Sequence, residues 1–202
     1  EIDGEPAKKP YITYIPNVRA YLTGRYNAAI LHWRSIWVYN TNSEHIKALS
    51  VTYHNVDSLQ SFSLEKNADN EFVFFNHLKE RAPEQPKAVR ISQYLDFYQG
   101  LSIEGFKNDF SGKDSILSKG AFCTISLTDL NGKTKTAALY RAPITEASMV
   151  RVDQNGRPLN FDLERFYVLY NDKKDFGIAQ YGVWAKALRA YDEFLTKGAK
   201  TI

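Results

Sequence analysis

Histidine is the side chain best suited to metal or proton chemistry near neutral pH, and this 202-residue chain has four: His32, His45, His54 and His77. No two have the HExxH or HxxxH spacing that sets a pair of ligands on one face of a helix, so they read as surface or hydrogen-bonded histidines. Asp109 with Asp114, and Asp172 with Asp175, are acidic pairs close enough in sequence to serve as acid and base. That work needs unequal surroundings that raise one pKa and leave the other low, and without such a pocket the pairs read as loop carboxylates. Asp153-Gln-Asn155-Gly156 has the beginning of a calcium loop but lacks the third acidic ligand and the closing glutamate, so it reads as a hairpin turn. No serine lies in a GxSxG elbow, which leaves Ser/His/Asp catalysis without local support. The glycines from Gly100 to Gly105 and from Gly112 to Gly120 fit neither phosphate-cradling pattern. No catalytic, cofactor-binding or metal-ligating residue is assigned.

Cys123 is the only cysteine, which excludes an internal disulfide and a cysteine-based zinc site. It lies in an apolar alternating run, where a small buried thiol is the ordinary reading. Tyr53, Phe62, Phe72, Phe74 and Tyr140 would stack bases or sugars if they stood on an open sheet face. The competing reading places them in the core, where aromatic side chains do most of the packing, and no RNP-like run argues otherwise.

Hydrophobic residues make up 44% of the chain and aromatics 14%, enough to fill a core. Lysine and arginine number 26 against 23 acidic residues, interspersed, so the net charge of +3 forms no basic stripe and nucleic acid is not an expected partner. No apolar run approaches the roughly 20 residues that span a bilayer. The first residues lack the basic and apolar regions of a signal peptide.

The elements that must position any site fall into a leading segment and two similar units. Residues 1–35 carry Pro6, Pro10 and Pro16, a short strand over 11–15, a short helix from Asn17 to Gly24 and a second near Ile30, Leu31 and Trp33. The first unit, 36–106, shows alternating runs over 49–54 and 59–64, then 72–75. A solvated connection over 76–87 leads to a helix over 88–101 whose stripe is Ile91, Tyr94, Leu95, Tyr98 and Leu101. The second unit, 107–202, opens with a polar joining stretch over 107–120. Strands over 122–128, 134–140, 166–170 and 176–178 follow, and then a helix over 181–195 with the stripe Trp184, Leu188, Tyr191 and Leu195. Asn131-Gly132, and again Asn155-Gly156, predict type I′ hairpin turns with positive φ at both central positions. The fold class is α+β: antiparallel sheets with amphipathic helices on one face, in two tandem strand-rich units that each end in a helix.

The block Pro10-Tyr-Ile-Thr-Tyr-Ile-Pro16, with Tyr21-Leu22, Arg25, Trp33-Arg34, Ile36, Ile46 and Ser61-Phe62, resembles envelope proteins of Bacteroidetes that carry domain of unknown function 4340. The resemblance continues through Gly100-Leu-Ser-Ile-Glu104, Lys113-Asp-Ser-Ile-Leu117, Asp129 with Gly132, Asp162 through Glu164-Arg165 to Tyr167, and Ala179-Gln180. It covers nearly the whole chain. In that family a membrane or lipid anchor and a further strand-helix unit precede the tyrosine-proline segment. The resemblance therefore implies the C-terminal part of a longer protein on the periplasmic side of the envelope, with residues 11–15 as an edge strand, and it brings no catalytic residues. The family-like positions have structural readings: Trp33 anchors the leading segment, Arg165 bridges to Asp162 or Glu164, and Gln180 satisfies free backbone groups where a strand becomes a helix.

The expected function is a non-enzymatic envelope module that binds an envelope or membrane protein partner, as an accessory subunit of an assembly and without a cofactor. The alternative is an envelope hydrolase acting on glycan or peptide, with catalytic groups drawn from the loops 76–87 and 107–120.

Overall fold

In a computed structural model of the chain, residues 34–195 are described. Residues 1–33 of the leading segment, with its expected strand over 11–15, its two short helices, His32 and Trp33, lie outside them. The described residues form ten strands: β1 (Trp37–Tyr39), β2 (Ile46–Tyr53), β3 (Phe62–Lys66), β4 (Phe72–Phe75), β5 (Leu101–Ser102), β6 (Gly105–Phe106), β7 (Cys123–Asp129), β8 (Thr134–Arg141), β9 (Arg165–Tyr170) and β10 (Asp175–Gln180). Helical periods give α1 (Ala88–Leu95), α2 (Lys113–Ser118), α3 (Tyr181–Trp184) and α4 (Tyr191–Leu195). The fold is α+β, as the sequence predicts.

Eight strands form one antiparallel sheet in the order β4-β3-β2-β7-β8-β9-β10-β6, and β1 pairs with β5 in a small second sheet. Two meanders, β2-β3-β4 and β7-β8-β9-β10, stand back to back. Their first strands meet along a register that sets Val51 against Ile125 and Tyr53 against Cys123. The meander strands of the two expected units are thus continuous parts of one sheet, while β1 and β5 of the first unit pair apart from it.

Leu49, Val51, Leu64, Ile125, Leu139 and Val168 all project to one face. Ile91, Tyr94 and Leu95 of α1, Trp184 of α3 and Phe194 of α4 pack onto that face. Phe62 and Phe74 are buried there, so the core reading of the aromatics holds for both. On the opposite face, Ser126 meets Thr136 at 3.1 Å and Thr128 meets Thr134 at 2.8 Å, the polar side expected of a half-solvated antiparallel sheet. Helices are not confined to one face. Tyr167 and Leu169 alternate with Phe166 and Val168, so they point the other way, and there they pack with Phe176 and Ile116 of α2. The stretch 107–120, expected to be a polar joint, therefore carries a helix that covers this end of the second face.

Both long predicted helices are shorter in the structure. The first becomes a 3-10 turn at Asp96–Gln99, stops at Gly100, and leaves Leu101 in β5. The second breaks after Trp184, and in the stretch that follows two carbonyls accept hydrogen bonds from remote tyrosines. Tyr94 Oη donates to the Ala187 carbonyl at 2.8 Å, and Tyr53 Oη donates to the Arg189 carbonyl at 3.0 Å. The chain restarts at α4, where the Glu193 carboxylate accepts from the Ala190 backbone N–H at 2.9 Å, half of a capping box.

Neither asparagine-glycine turn is type I′. Gly132 and Gly156 have φ of +81° and +76°, whereas Asn131 and Asn155 are not among the positive-φ residues. Asp129 Oδ1 instead accepts from the N–H groups of Asn131 and Lys133, and Asp153 Oδ1 from those of Asn155 and Arg157. These are type I turns closed by a left-handed residue, with an aspartate side chain capping the open amides.

Candidate functional site

The sheet ends where β2 finishes, β7 begins, β8 finishes and β10 runs into α3, and these termini enclose an open pocket of about 390 Å³. Its walls are Tyr53, Phe122, Tyr181, Ala185, Leu188 and Ala190, with Asp57, Gln60 and Arg141 as its remaining polar members. This volume lies within the range of small-molecule sites, as does the mix of apolar walls and a few polar groups.

Arg141 is the last residue of β8. Its guanidinium carbon lies 4.2 Å from the centre of the Phe122 ring and 4.1 Å from that of Phe161. Phe122 is fixed just before β7 by its own N–H, which donates to the Leu139 carbonyl, and by its carbonyl, which accepts from His54 N–H. Phe161 comes from the excursion between β8 and β9. Two rings packed against one guanidinium favour the cation and displace part of its water, while its N–H groups can still donate. One of those groups donates to Tyr181 Oη at 2.9 Å. Among the described residues Arg141 forms no ion pair with a carboxylate.

Tyr181 opens α3. Burial raises its pKa, and nearby Arg141 only partly offsets this, so the phenol stays protonated and its own hydrogen has no acceptor among the described residues. Asp57, in the 3-10 turn Asn55–Gln60, is exposed at the pocket and forms no hydrogen bond or ion pair among the described residues. Gln60 is already committed: its amide donates to Asp192 Oδ2 at 2.9 Å and accepts from the Asp192 N–H, which ties the 3-10 turn to α4. Three groups with free capacity therefore line one pocket: the Arg141 guanidinium, the Tyr181 hydroxyl and the Asp57 carboxylate. Together they can hold an anionic group, and a donor beside it, against apolar walls.

The residues weighed from sequence lie elsewhere. Asp109 and Asp114 are exposed on the segment that carries α2. Asp175 is buried and accepts from Asn171 Nδ2 at 2.8 Å, closing the β9–β10 turn. His54 Nε2 lies 2.9 Å from Thr124 Oγ1, and His45 and His77 are exposed. Among the described residues no three metal-ligating side chains gather. The Cys123 thiol is buried, and burial pushes its pKa well up.

Arg165 bridges to Glu104 at 2.9 Å rather than to Asp162 or Glu164, and this pair, backed by a hydrogen bond from Gln180, holds the Glu104 carboxyl below its usual range. Gln180 does not cap α3. The loops 76–87 and 107–120 flank opposite ends of the sheet order, beside β4 and beside β6 and β10. They are separated by on the order of 30 Å at ~4.8 Å per strand, and so share no pocket.

Sequence reasoning missed Arg141. An arginine ending an alternating strand is unremarkable, and the rings that hold it come from remote positions. No family model, curated protein or solved structure matches this chain.

Proposed function

We propose that the protein is a binding module on the periplasmic side of a bacterial envelope, which engages a protein partner as an accessory subunit and performs no catalysis of its own. The observation that carries this reading is the Arg141 pocket. A cation packed against Phe122 and Phe161 lines a pocket with apolar walls and forms no ion pair among the described residues. That arrangement suits recognition, because aromatic-packed arginines anchor interfaces. The groups with free capacity, a guanidinium, a neutral phenol and an exposed carboxylate, hold and orient a guest and include no activated nucleophile. Placement in the envelope rests on the resemblance to proteins with domain of unknown function 4340. The alternative is an envelope hydrolase with catalytic groups drawn from loops 76–87 and 107–120, which lie beside opposite ends of the sheet order and so favour it less.

The test is in-cell crosslinking of the tagged native protein, with the membrane fraction analysed by mass spectrometry against an untagged control. Recovery of one or two stoichiometric envelope proteins is the expected result. A protein that fractionates as soluble and crosslinks to nothing overturns the reading.

A further inference from the structure

The geometry points to a free α-carboxylate as the group the Arg141 pocket receives, from the C-terminal residue of a polypeptide or from an amino acid, with Tyr181 as second donor. The inference builds on the binding-module reading and names its anchor chemistry.

Two rings pack against the guanidinium, and its N–H groups can offer a planar carboxylate two parallel bonds. Tyr181 Oη accepts one Arg141 N–H and still has its own O–H to give, so three donors converge on one anion. Asp57 is on the same pocket. A phosphate dianion would meet this carboxylate as a like charge, whereas the ammonium of an amino acid or the amide N–H of a terminal residue offers it a hydrogen bond. Phe122, Ala185, Leu188 and Ala190 leave the remaining space to an apolar side chain. A monoanion with an adjacent donor and an apolar body satisfies all three free groups at once, and an internal peptide segment or a phosphate does not.

The experiment titrates the full chain with four probes by calorimetry and by NMR: acetyl-Gly-Ala-Phe as the free acid, the same peptide as its C-terminal amide, free phenylalanine, and inorganic phosphate. The free-acid peptide is expected to bind at least about tenfold more tightly than the amide, the weight of a charge-assisted hydrogen bond. Arg141→Gln should abolish that preference. Tyr181→Phe keeps the ring against Phe122 and Phe166 and should weaken the acid severalfold, more than it weakens the amide, while an unchanged circular dichroism spectrum and melting temperature separate recognition from folding. Equal binding of acid and amide, phosphate tighter than the peptide acid, or no binding of any probe overturns the inference. If free phenylalanine binds and the peptide does not, the carboxylate assignment stands and the protein-partner reading falls. If crosslinking recovers a partner that Arg141→Gln still holds, the partner reading stands and the carboxylate anchor falls.

Discussion

Asp162 illustrates how much local structure one carboxylate can hold. Its Oδ1 accepts from the N–H groups of Glu164 and Arg165 at 2.7 and 3.0 Å, and its Oδ2 from Ser148 Oγ at 2.6 Å. Burial alone would raise its pKa, but the Ser148 hydroxyl and the two backbone donors outweigh burial and set it below the ordinary 3.8. Because the folded pKa is the lower one, the stability Asp162 contributes is present above the unfolded value and drains away as pH falls through the folded one. Asp162→Ala leaves three donors without their acceptor and should cost about 1–3 kcal/mol at pH 7. Urea midpoints of the variant and the parent, far apart at pH 7, should draw together at pH 3; a gap of equal size at both pH values would contradict the assignment. The same network explains why Arg165 turns elsewhere for its partner: Asp162 already spends its oxygens on backbone and serine donors, and Glu104 stands opposite across β6 and β10.

At the scale of elements, one turn design recurs four times. Asn67, Asn76, Asp129 and Asp153 each cap the amides two and four residues ahead through a side-chain oxygen. In each, the residue three positions on, Asn70, Lys79, Gly132 or Gly156, is left-handed. Lys79 bears the steric cost of that conformation, about 1–2 kcal/mol, where glycine would avoid it at an entropic cost of about 0.5–1. Lys79→Gly should therefore raise stability by about 0.5–1 kcal/mol, and Gly132→Ala should lower it by about 1. Nothing lies within 4 Å of an added Cβ at Gly132, so that loss would be purely conformational. Thermal melts of the two variants should move in opposite directions.

This scale also marks what could be read from sequence. Alternation located β2, β3, β4, β7, β8, β9 and β10, because a half-buried strand leaves a period-two trace of its own. The type I′ reading failed because it took asparagine-glycine as the whole signal and passed over the aspartate two residues earlier, whose side chain selects the turn. The helix predicted over 181–195 is interrupted in a stretch whose carbonyls accept from Tyr53 and Tyr94, contacts distant in sequence that leave no periodic trace. Arg141 was illegible for the same reason, since its meaning lies in Phe122, Phe161 and Tyr181.

For the molecule as a whole, the decisive junction is between β2 and β7. Each meander alone would expose an unpaired central edge and half a core, because Val51 and Ile125 face each other across that junction and Tyr94 of α1 reaches the Ala187 carbonyl beyond α3. The two halves should therefore unfold together. Cys123 supplies a probe at the right place: it pairs with Tyr53 of β2 on one side and with Leu139 of β8 on the other, and it is fully buried. A thiol reagent reaches it when β7 parts from its neighbours. If the sheet is one cooperative unit, the opening free energy measured by thiol labelling equals the unfolding free energy from denaturant, within the 5–15 kcal/mol ordinary for a domain. If the two meanders separate while each keeps its structure, Cys123 labels at a distinctly smaller free energy and circular dichroism persists through the labelling transition. Since the Arg141 pocket is built from β2, β7, β8 and α3, the first outcome also means that no partner could meet a half-assembled site.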